Sequence, residues 1–155
     1  MVLKIFKKKN AVTIKRKKRG KSSKVCWEKA EDIQKRVDDL VDLLNLNWID
    51  KERVFCFRSY SSKARAYARI WGFSKIWQVA LSEKPAYSLE VLSQHFDKLS
   101  ELEQDKVLLH ELSHIPRNFS GNLVPHYKKR GKCSFHSKVD QLFKYYISMK
   151  KDKKG

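Results

Sequence analysis

Apolar positions recur at steps of three and four between residues 27 and 46: Ala30, Ile33, Val37, Leu40, Val41 and Leu44. That is the period of an amphipathic helix, and Asp32, Asp38, Asp39 and Asp42 crowd its other face. The period then changes. Residues 53–58 (R-V-F-C-F-R) read as a short buried strand. Over residues 64–71, Ala64, Ala66, Ala68 and Ile70 alternate with Arg65, Tyr67, Arg69 and Trp71, which argues for another strand. Residues 76–82 (I-W-Q-V-A-L-S), broken by Pro85, make a further strand candidate. Tyr87, Leu89 and Val91, alternating with Ser88 and Glu90, make the last.

From Ser100 the helical period returns. Ser100 and Glu103 form the S-x-x-E of a capping box, and Pro116 gives the stop signal. On a wheel, Leu102, Leu108, Leu109, Leu112 and Ile115 share one broad arc, with His110 and His114 on the opposite side. A loop containing Gly121 and Pro125 follows. A final helical pattern runs from Ser137 through Val139, Leu142, Phe143 and Tyr146, with Met149 trailing. A helix, a small and mostly antiparallel sheet, and two further helices describe an α+β fold.

Composition narrows this picture. The chain of 155 residues is 41% apolar, enough for one domain with a real core. No run of 18 apolar residues exists, so a membrane span is not expected. Cys26, Cys56 and Cys133 are scattered and odd in number, and no apolar leader opens the chain, which together point to a reduced, cytoplasmic setting.

The net charge of +18 is unevenly spread. Residues 1–25 hold eleven Lys/Arg and no acid, residues 127–155 hold ten against Asp140 and Asp152, and the middle is close to neutral. The expected organisation is a basic, mobile arm over residues 1–25, a folded domain over 26–149 and a charged tail over 150–155. Val2, Ile5, Val12 and Ile14 leave room for a weak hairpin in the arm. Basic ends of this kind suit nucleic-acid phosphates, with Lys15, Arg16, Lys17, Lys18 and Arg19 the densest run. The Arg65, Tyr67 and Arg69 face is a second candidate, offering stacking and phosphate contacts to a single strand.

The chemistry concentrates at His110, Glu111 and His114, an H-E-x-x-H. Residues four apart on a helix lie about 40° apart and about 6 Å along the axis, so two imidazoles at that spacing can grip one cation. A carboxylate directly after the first ligand is placed to act as general base on water acidified by Zn²⁺. A catalytic zinc needs a third protein ligand. No glutamate follows Glu111, which leaves His126, His136, Asp140 and Cys133. His126, on a loop with the glycine and proline needed to fold back, is favoured. His136 is next, with oxyanion stabilisation as its other role. Tyr127 is a candidate donor to a tetrahedral intermediate, and His95 reads as structural.

Residues 108–126 (L-L-H-E-L-S-H-I-P-R-N-F-S-G-N-L-V-P-H) resemble the phage and archaeal metallopeptidase family, with its H-E-L-x-H-I-P, then phenylalanine-x-glycine, then a histidine. Upstream, Arg58-Ser59, Ser62-Lys63, the A-R-I-W-G at residues 68–72, the I-W-Q at residues 76–78, Tyr87 and residues 96–99 resemble it as well. The layout is more loosely similar to SprT-like compact zincins, some of which act on DNA-bound proteins. The resemblance implies a zincin-like peptidase with one zinc ion held by His110, His114 and His126, and Glu111 as catalytic residue. A protein or peptide would be its substrate. The alternative is a non-catalytic, basic nucleic-acid-binding protein with a structural or vestigial zinc site.

Overall fold

Helix α1 (Glu31–Leu43) forms inside the stretch 27–46 where the 3.6-residue period placed it, but residues 27–29, expected within the helix, lie in a strand instead, because the buried stripe of Ile33, Val37, Leu40 and Val41 begins only after them. The computed structural model describes residues 24–128 and 134–152. The basic N-terminal run with its expected hairpin, Lys15–Arg19 included, Cys133 and the last three residues lie outside the described residues.

Four strands form one sheet in the order β1-β2-β4-β3. They are β1 (Cys26–Lys29), β2 (Val54–Tyr60), β3 (Ala68–Gly72) and β4 (Tyr87–Leu92). The two outer pairings are antiparallel, β1 with β2 and β3 with β4, whereas the central pairing of β2 with β4 is parallel. The sheet is therefore mixed, with antiparallel pairing still in the majority. Placing β4 in the middle buries it on both faces, and Leu89, Val91 and Leu92 are wholly buried. It also leaves β3 at an edge, beside the helix that carries the H-E-x-x-H.

That helix is α4 (Glu101–Leu112). Ser100 caps it in a full capping box, its hydroxyl accepting from the Glu103 N–H while the Glu103 carboxylate accepts from the Ser100 N–H. Leu108, Leu109 and Leu112 seal one face into the core, joined by Ile115. Leu102 departs from the expected arc. It is 44% exposed.

The last helix, α5 (Phe135–Asp152), starts two residues before the apolar pattern does and takes in His136 and Lys150. Asp105 on α4 ties the three long helices together. It pairs with Arg36 of α1 and accepts from the Tyr146 hydroxyl of α5 at 2.5 Å, with the Lys150 ammonium 3.5 Å away. Among the described residues, no helix is long and apolar enough to cross a membrane.

Two elements differ from the expectation. Residues 75–81, expected as a strand, form helix α2 (Lys75–Leu81), with Ile76, Trp77, Val79 and Leu81 all exposed. Only Gln78 is buried, and its amide donates to the Phe73 carbonyl at 2.6 Å and the Ser120 carbonyl at 2.9 Å. The helix is anchored through that polar side chain, so its apolar run carries no information about burial. The alternation over residues 64–71 yields a strand only from Ala68; the residues before it form a loop. In exchange, β1 arises from residues with no apolar pattern, all of them exposed, through its ladder with β2. A four-residue helix, α3 (Ser93–Phe96), leads into α4 and carries His95 away from the other histidines, next to Gln94.

Candidate metal centre

His110 stands in the last turn of α4 and His114 in the turn just after its end, their ring centroids 5.2 Å apart. The chain then turns at Phe119, in a left-handed conformation, and at Gly121, with φ of +86°. There the backbone passes so close to Phe73 and Gln78 that a Cβ on Gly121 would collide with both. Tyr87 of β4 clamps this turn: its hydroxyl accepts from the Gly121 N–H at 2.8 Å and donates to the Asn122 carbonyl at 2.9 Å, and its ring meets Phe119 edge-on. Val124 then pairs back with the helix end, its N–H donating to the His114 carbonyl at 2.7 Å. The loop so returns His126 to the other two histidines.

Ring nitrogens of His110, His114 and His126 lie within 4.8 Å of one another, and His110 Nε2 is 2.9 Å from His126 Nε2. Nitrogen ligands at about 2.0–2.1 Å from a tetrahedral zinc stand roughly 3.3 Å apart, so the donor set fits one such ion with small adjustments. The second nitrogen of His114 bears on this fit. Its Nδ1 lies 2.5 Å from the Val124 carbonyl, so a proton held there leaves Nε2 as the free donor to a metal. Burial, and then the other imidazoles, hold His110 down to about 4 and His114 below the usual range, which keeps both rings neutral as ligands must be.

Glu111, at the next helical position, lines both cavities that border the histidines. Burial pushes its carboxyl up to about 7, opposed by a hydrogen bond from the Ile70 backbone on β3. Two cavities border the centre. One, of about 420 Å³, runs past Tyr67, Ala68, Leu99, Val107 and Val139 to His110 and Glu111. The other, of about 280 Å³, follows β3 from Ala68 to Trp71 and reaches all three histidines. They share Ala68, His110 and Glu111, so the centre opens in two directions.

Of the other candidates, His136 stacks on His126 with ring centroids 5.1 Å apart and stands 5.7 Å from His110, beside the triad rather than within it. Asp140 is paired with Lys106 at 3.0 Å. Tyr127 is half-buried, under the Lys138 ammonium and edge-on to Phe135. Arg65, Tyr67 and Arg69 do not line up on one strand face. Arg65 is exposed on the loop, Tyr67 borders the larger cavity, and Arg69 is bound to Glu90.

Three residues escaped the reading of the sequence as site builders. Phe135 is buried and stacks on His114 at 4.4 Å while meeting His110 and His126 edge-on. An apolar residue directly before His136 was the available signal. Tyr87 and Gln78 fix the returning loop; their hydrophobic pattern does not mark them, and the signal was their place in the segments that resemble the family.

A family model described as "Putative phage metallopeptidase" matches residues 25–143, which covers the sheet, α4, the returning loop and the first half of α5. No curated protein and no solved structure matches the chain.

Proposed function

The chain belongs to this phage metallopeptidase family, and on that premise we propose that it is a zinc-dependent peptidase in which His110, His114 and His126 hold the ion and Glu111 moves the proton. The convergence of three imidazoles from one helical turn and one returning loop carries this reading. A bound divalent ion would supply Lewis acidity, polarising a substrate carbonyl and acidifying water. The Glu111 carboxylate takes a proton from the attacking water and returns it to the amine nitrogen of the departing peptide. Phe135 closes one side of the imidazoles against solvent, and His114 is held in its ligating orientation by Val124.

An extended peptide is the substrate form that suits this site. β3 is an edge strand beside the centre, and an added strand there would carry its scissile bond over His110 and Glu111. Its side chains would enter the cavities on either side of Ala68. The rival reading, a structural ion in a non-catalytic protein, calls for a closed site with no base, whereas two cavities and Glu111 open onto this one. Glu111→Gln tests the assignment. Hydrolysis of a denatured protein substrate is expected to fall by about 10²–10⁴-fold with metal content unchanged. Unchanged hydrolysis at full metal content would remove Glu111 from its role.

A further inference from the structure

Glu90 is a buried carboxylate for which peptide hydrolysis has no use. It sits on the central strand β4, pointing to the sheet face opposite the helical core, and is 2% exposed. Its two oxygens accept from the indole N–H of Trp27 on β1 and of Trp71 on β3, each at 3.1 Å, and from two nitrogens of Arg69 at 3.0 and 3.2 Å. Two tryptophans from opposite edges of the sheet are thus drawn across the same face by one anchor. Yet Trp27 stays 58% exposed and Trp71 54% exposed.

The strand register extends this surface. Phe55 and Trp71 both pair with Ser88, one from each side, so a small residue separates two exposed aromatics. Between them lies a cavity of about 440 Å³, with Arg53 at its border. Lys29 shares the Glu90 row through Phe57.

We propose that this face is a stacking platform for single-stranded nucleic acid, with bases against Trp27, Trp71 and Phe55. Three observations favour that occupant over an apolar peptide or a second copy. The tryptophan N–H groups are already satisfied by Glu90, so the rings offer a partner their faces, that of Trp71 on the side away from the Arg69 guanidinium, which lies 5.4 Å from its ring centroid, and every base can use such a face. Their orientation is fixed before binding by a shared anchor, which lowers the ordering cost of stacking. The chain carries +18, and residues 1–23, with ten Lys/Arg and no acid, join the sheet through β1, the strand that bears Trp27. Phosphates would neutralise that excess, and affinity would fall with salt.

The platform does not rest on the peptidase reading, although Trp71 also borders the smaller cavity beside the histidines, and its test involves neither hydrolysis nor metal. The full chain is titrated with a short oligothymidylate at low salt, following tryptophan fluorescence and oligonucleotide anisotropy. Wild type is expected to bind with quenching. Trp27→Ala and Trp71→Ala should each weaken binding about tenfold or more, since each removes a ring on which a base stacks. Trp71→Phe should retain most of the affinity, which separates lost stacking from lost folding. Leu102→Ala, an exposed apolar change on α4, should bind as wild type. Equal affinity of wild type and both alanine variants would overturn the proposal and leave the basic segments as the only nucleic-acid contact. Absence of binding, or a dimer in sedimentation that both alanine variants dissolve, would overturn it as well, the latter in favour of a second copy.

Discussion

Gly121→Ala is the perturbation that most directly couples the loop's backbone to the metal centre. Gly121 holds φ of +86°, where an alanine is strained by roughly 1 kcal/mol. Its new Cβ would fall inside contact with the Phe73 carbonyl oxygen and the Gln78 amide nitrogen. Backbone cannot yield as a side-chain tip does. Relief therefore separates the loop from α2 and breaks the two hydrogen bonds of Gln78, to Phe73 and Ser120, at about 1 kcal/mol each.

The sum is a loss of roughly 2–4 kcal/mol, or about 5–15 °C in Tm for a chain of this size. His126 lies five residues on, with the Tyr87–Asn122 bond and the pairing of Val124 with His114 between to absorb part of the shift. Metal affinity is thus expected to weaken at least about tenfold, as when groups supporting a ligand are lost. Calorimetry and competition against a chromogenic chelator give both quantities. Gly72→Ala pushes on the same loop from the other side, since its Cβ would meet the Gly121 carbonyl oxygen, and should act alike. If Gly121→Ala kept both its Tm and its metal affinity, the loop would not be what positions His126.

Tyr87→Phe removes the hydroxyl that accepts from Gly121 and donates to Asn122 while leaving the ring on Phe119. A loss of about 1–3 kcal/mol in denaturant unfolding is expected, and an unchanged midpoint would contradict the clamp. The carboxyl of Glu90 gives a pH dependence. Burial alone would raise it, but hydrogen bonds led by Arg69 and joined by Trp71 and Trp27 hold it below its ordinary 4.5. A folded value below the unfolded one means that the stabilisation is complete above pH 4.5 and fades as pH falls through the lower folded value. Glu90→Gln should accordingly lose less stability than wild type on acidification below pH 4.5, and parallel acid titrations would refute this.

The long amphipathic segments were legible because burial and period coincide in them. Ala30, Ile33, Val37, Leu40, Val41 and Leu44 recur at helical steps and are all buried, and the Ser100–Glu103 box marks the start of α4 to the residue. The spacing set His110 beside His114, a loop with the means to turn back set His126 within reach of both, and these three rings converge. What stayed hidden depends on partners distant in sequence. β1 exists through pairing across some thirty residues, with nothing apolar of its own to bury. α2 exposes its apolar side chains and is held by one glutamine, so its composition imitates a strand. Arg69 looked free for a ligand, but Glu90, on a neighbouring strand, had already engaged it. Phe135 acquires its place under the imidazoles only when α5 packs against α4.

The central claim is that three imidazoles, His110, His114 and His126, grip one ion. Elemental analysis of purified wild type beside His126→Ala and His136→Ala tests it most directly. The account predicts one zinc per chain in wild type and in His136→Ala, and loss of bound metal in His126→Ala. Full metal in His126→Ala with loss in His136→Ala would contradict it and hand the third position to the neighbouring ring.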